Sequence, residues 1–176
     1  MRVFPTVRSC RFKDVEYGGL FVAEVGKGKG YNLKCFDLGK AGEKLDLAAF
    51  LGPELPEGFD ILSVAGYYQE DDCVLDFGKE FIIEASTEFR HIEFGLPSPF
   101  KGPWGLVIAG DATFLRVKEV RRQEAIYVEL PSAKLTSNLP GGPLVLMAEW
   151  SLRLPVPPEI RDASALEALF SYNPLA

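Results

Sequence analysis

From Leu144 to Leu154 apolar residues recur at every second position. Leu144, Leu146, Ala148, Trp150, Leu152 and Leu154 share one face, and Glu149, Ser151 and Arg153 point the other way. A period of two puts successive side chains on opposite sides of an extended backbone, so the stretch predicts a half-buried β-strand. A strand with one apolar face needs neighbours to pair with and a core to cover it.

Shorter runs of the same kind fill most of the chain. Strands are expected at Val3 to Cys10, Leu20 to Val25 and Tyr31 to Leu38. More follow at Ile61 to Tyr68, Cys73 to Phe77, Phe81 to Ala85, Phe89 to Phe94, Trp104 to Ala109, Thr113 to Val120 and Glu124 to Leu130. The four between residues 61 and 94 are divided by separators of three or four residues, short enough for an antiparallel meander. Leu45 to Leu51 reads as one or two helical turns capped by Asp46, stopped by Gly52-Pro53. Near the carboxyl end, Ser164 and Glu167 have capping-box spacing, with Leu166, Leu169 and Phe170 on one face of a short helix. Strand density without repeated crossover helices predicts a mainly β fold: an antiparallel β-sandwich or partly closed β-barrel with a short C-terminal helix. A length of 176 residues suits one domain over 1–176, long enough to bury roughly two-thirds of its unfolded surface.

Charge is uneven. Residues 1–44 carry nine Lys or Arg against five acids, a net of +4, while residues 54–93 carry eleven acids against Lys79 and Arg90, a net of −9. Two such regions attract each other within a fold or across subunits, or else form a solvated acidic face. A pI near 4.9 argues against nucleic acid as the main partner. The one later basic cluster, Arg116, Lys118, Arg121 and Arg122, is interleaved with Glu119 and Glu124. No aliphatic run approaches the ~20 residues that span a bilayer, and no secretory leader is visible at the amino end. The simplest expected address is cytoplasmic or virion-internal.

The inventory for catalysis is thin. His91 is the single histidine, beside Glu93 in its strand, with no GxSxG elbow or cysteine-protease context to go with it. Cys10, Cys35 and Cys73 are far apart and form neither CxxC pairs nor a zinc set. No cofactor and no metal are expected. The acidic stretch Glu70, Asp71, Asp72 and Asp76 supplies oxygen atoms but not the spacing of a calcium loop.

Four residues stand out as interaction candidates. Lys27 and Lys29 lie in Gly26-Lys27-Gly28-Lys29-Gly30, a glycine-rich hairpin tip whose amides and lysines suit an anionic partner. Tyr68 and Trp104 offer flat surfaces for stacking or for anchoring a protein partner. Trp150, in the clearest apolar register, belongs in the core. Together these features lean away from an enzyme. They favour a noncatalytic, self-associating or protein-binding structural module, with a small-molecule-binding barrel as the alternative. A third reading is a carboxylate-dependent enzyme for a sugar or similar polar substrate, using Asp76, Glu84 or Glu93 with help from His91.

Overall fold

The computed structural model describes residues 7–23, 30–85, 104–121, 124–130, 132–142, 144–147, 149–155 and 169–172. These residues are mainly strand. In chain order they are β1 (Arg8–Arg11), β2 (Leu20–Ala23), β3 (Tyr31–Leu38), β4 (Lys44–Gly52), β5 (Ser63–Ala65), β6 (Cys73–Gly78) and β7 (Ile82–Ala85). After them come β8 (Gly105–Ala109), β9 (Ala112–Glu119), β10 (Glu124–Glu129), β11 (Leu135–Thr136), β12 (Leu144–Met147), β13 (Trp150–Arg153) and β14 (Phe170–Tyr172). One turn of 3-10 helix, Phe12–Asp14, follows β1.

A large mixed sheet runs in the order β1-β6-β2-β3-β4-β5-β9-β10-β11. β10 covers one edge of β9. The opposite edge is shared, first by β8 and then by β5, which is the parallel neighbour. β12 pairs with β8. The path also comes back on itself, because Phe36 in β3 forms a parallel bridge to Lys134 and its amide donates to the Ala133 carbonyl at 3.0 Å. A smaller antiparallel sheet has the order β14-β13-β7.

Alternation sorts the side chains into layers. Leu33 and Cys35 of β3, Ala49 and Leu51 of β4, Val64 of β5, Leu115 and Val117 of β9, and Ile126 and Val128 of β10 share one buried cluster. Trp150 and Leu152 of the small sheet complete it, and Trp150 is 2% exposed. The opposite face of β2, β4 and β6 carries a second cluster with Phe21, Phe50 and Val74, covered by Phe12, Val15 and Tyr68. Burial on this scale, at roughly 25 cal/mol per Å² of apolar surface, is the main force holding the sheets together.

Several expectations need correction. Residues 45–51 are not helical turns but part of the nine-residue strand β4. Leu47, Ala49 and Leu51 face one cluster while Ala48 and Phe50 face the other, so both sides are apolar and the alternation that marks a half-exposed strand is lost. The meander is not formed: β5 pairs with β4 and β9, β6 with β1 and β2, and β7 with β13. Expected strand Phe89 to Phe94 lies outside the described residues. So do Ser164 and Glu167 of the expected C-terminal helix, and Phe170, assigned to that helix, is in strand β14.

The opening stretch, Leu144 to Leu154, is two strands. β12 belongs to the large sheet and β13 to the small one. The apolar phase slips by one residue between them. In β12, Val145 and Met147 face the main cluster while Leu144 and Leu146 join Val107, Phe114 and Tyr127 on the other side; in β13, Trp150 and Leu152 face the main cluster. At the far end of β4, Gly52 has φ +105°, and a Cβ there would stand 2.9 Å from the Phe170 ring of β14. Only glycine suits that backbone and that approach.

Candidate recognition cleft

β3 and β4 present a set of polar and aromatic side chains next to the segment that follows β1. Lys34 lies on the outer side of β3, between Asn32 and Phe36, and its side chain is 3% exposed. Its ammonium donates to three acceptors, Asp46 Oδ2 at 3.1 Å, the Phe12 carbonyl at 2.9 Å and the Lys13 carbonyl at 3.1 Å. It also lies 4.7 Å from the Phe12 ring centroid and 5.2 Å from that of Tyr17. A buried ammonium is tolerated only when paired and hydrogen-bonded in this way.

Asp46 holds a second partner. The Tyr17 hydroxyl donates to its Oδ1 at 2.6 Å. Burial, then that hydrogen bond and the neighbouring carboxylate charge, push the Tyr17 hydroxyl up to about 12. The Tyr17 and Phe36 rings are 4.7 Å apart, and Lys44 extends its ammonium over both, 4.7 Å and 4.5 Å from their centroids. Around these groups opens a cleft of about 610 Å³, lined also by Lys13, Glu16, Lys79 and Ser132. Lys79 pairs with Glu16 at 2.9 Å.

The charge asymmetry of the sequence is resolved largely inside the chain. β1 lies against β6, and Arg8 meets Asp76 at 2.8 Å while Arg11 and Lys13 both reach Asp71 at 3.0 Å. Asp76 also accepts from the Gly78 amide, and Asp72 from the Gln69 amide. The acidic stretch is thus tied to the basic amino-terminal region. Among the described residues no group of three or more metal-ligating side chains gathers.

The two described interaction candidates, Tyr68 and Trp104, pack on different clusters. Tyr68 is 7% exposed, packed at 5.3 Å from the Phe12 ring and 5.1 Å from the Phe21 ring, so its face is used inside the second cluster. Trp104 is half-buried and lies 5.0 Å from the guanidinium carbon of Arg116. Lys27 and Lys29 lie outside the described residues. Arg116, grouped by sequence with a basic patch, is fully buried, and Lys118 reaches Asp60 at 3.4 Å. Of the candidate catalytic acids, Asp76 sits in the large sheet against Arg8, and Glu84 in the small sheet against Arg153 at 2.8 Å. His91 and Glu93 lie outside the described residues.

Sequence reading did not single out Lys34, Asp46 or Tyr17 as a group. The signal available was a lysine inside an otherwise apolar stretch of strand, Leu33-Lys34-Cys35-Phe36. A charge there demands a buried partner. No helix among the described residues is long and apolar enough to cross a membrane. No protein family, curated protein or solved structure matches the chain.

Proposed function

We propose that the protein is a single-domain, noncatalytic β module that works by association, with copies of itself or with a protein partner. On this reading β3, β4, β5, β9, β10 and β11 form a closed barrel, with the Phe36 to Lys134 bridge as its seam. The observation that carries the association is β7. It ends the small sheet, it has no second strand neighbour among the described residues, and its outward Ile82 is 48% exposed. A short end strand with an exposed branched apolar side chain is a template for pairing.

The chemistry of the other side chains supports a noncatalytic role. A nucleophile needs its pKa brought down toward neutrality. Here burial pushes the Cys10 and Cys35 thiols up, and burial likewise raises Tyr17, Tyr31 and Tyr68. Asp76 and Glu84 are each held by a separate arginine, on different sheets.

Native mass spectrometry at micromolar concentration tests the reading. A discrete oligomer is expected, and Ile82→Lys is expected to release monomer while leaving the circular dichroism spectrum unchanged. A wild-type monomer that captures no protein partner would remove association from the account. The open cleft beside Tyr17 favours a second reading, small-ligand binding, since about 610 Å³ lies within the range of ligand pockets.

A further inference from the structure

The cleft's charges are not all paired. Lys34 is compensated by Asp46, Lys79 by Glu16 and Lys13 by Asp71. Asp14 acts on Arg8, whose pKa it helps to raise, after the larger effects of Asp76. Lys44 is left with the ring faces of Tyr17 and Phe36 and with no carboxylate ion pair among the described residues. Ring faces attract an ammonium but accept none of its strong hydrogen bonds, so its donors remain available to an anion. Two rings also hold the ammonium in one place, which reduces the ordering cost of binding.

We propose that the cleft binds a small anionic ligand, its carboxylate or phosphate group taken by Lys44 and its body lying in the space between Tyr17 and Lys79. This rests on the small-ligand reading of the cleft and is independent of self-association. Lys34 serves as a positioning residue. It fixes Asp46, which fixes Tyr17, whose ring seats Lys44.

The test is an NMR titration of the full chain at constant ionic strength with three probes: inorganic phosphate, acetate and tetramethylammonium. The proposal expects saturable shifts at Tyr17, Phe36 and Lys44 with phosphate or acetate, and the tighter of the two identifies which anionic group the site takes. Lys44→Gln should weaken that binding about tenfold, the loss of one charge-assisted hydrogen bond. Lys40→Gln, in the exposed turn between β3 and β4, should leave it unchanged and controls for net charge. Equal binding by wild type and Lys44→Gln overturns the proposal. If tetramethylammonium alone titrates the cleft, the anion assignment falls and small-ligand binding stands. If none of the three titrates it, both fall.

Discussion

Lys34 and Asp46 stand on neighbouring strands, diagonally across the β3–β4 ladder, with the ammonium 3.1 Å from Oδ2 and the lysine side chain almost wholly enclosed. Removing either charge strands the other.

Lys34→Ala should therefore cost about 3 kcal/mol, because it leaves Asp46 without its cation and the Phe12 and Lys13 carbonyls without their donor. Lys34→Met, which keeps the aliphatic stem, should recover only part of that loss. Urea denaturation of the three proteins, compared at equal m-value, measures both.

Alkaline stability should report on Tyr17. Its hydroxyl is held up to about 12 in the fold, against about 10 for a free phenol. The folded state therefore keeps this proton more tightly than the unfolded chain. The contribution is complete below pH 10 and is lost as pH climbs from 10 through 12. In Tyr17→Phe the fall in stability across that window should be shallower than in wild type, as followed by thermal melts at successive pH values.

Gly52→Ala should destabilise by roughly 2 kcal/mol, since it combines a strained positive φ with a Cβ driven against the Phe170 ring. Pairing the change with Phe170→Leu should relieve the contact but not the backbone strain. A double-mutant cycle separates the two.

Thiol labelling should proceed in three phases. Cys73 is exposed and should react first; Cys10 is half-buried and its thiol is pushed up by burial; Cys35 is fully enclosed and should react only on unfolding. Mass spectrometry of the labelled peptides over time gives the order.

β3, β6, β8, β9 and β10 fall close to their expected bounds, because runs rich in β-branched and aromatic residues bounded by turn residues mark a strand whichever faces are covered. β4 was not legible: Leu45 to Leu51 reads as an apolar run, which periodicity cannot assign to helix or strand. Of the pairings expected from the sequence, β2 with β3 is formed, whereas the short separators after β5 do not join antiparallel neighbours. The parallel contact of β5 with β9 joins residues more than fifty apart and leaves no local trace. The cleft was hidden for the same reason. Tyr17 and Asp46 are 29 residues apart, and only the stacking of the post-β1 segment on β3 and β4 brings them together. Charge asymmetry was visible, but its resolution into Arg8–Asp76 and Arg11–Asp71 depended on β1 lying beside β6.

The run from β12 into β13 leaves one sheet and enters the other with only two residues between. Such a stitch gives the sheets no slack. If β13 peels away from β7 and β14, the tension falls at once on the β12–β8 ladder, and the reverse holds as well. The two sheets are thereby made to open and close as one cooperative unit, with hydrogen exchange in β7 and β14 paced by that in β8, rather than acting as two leaves about a hinge.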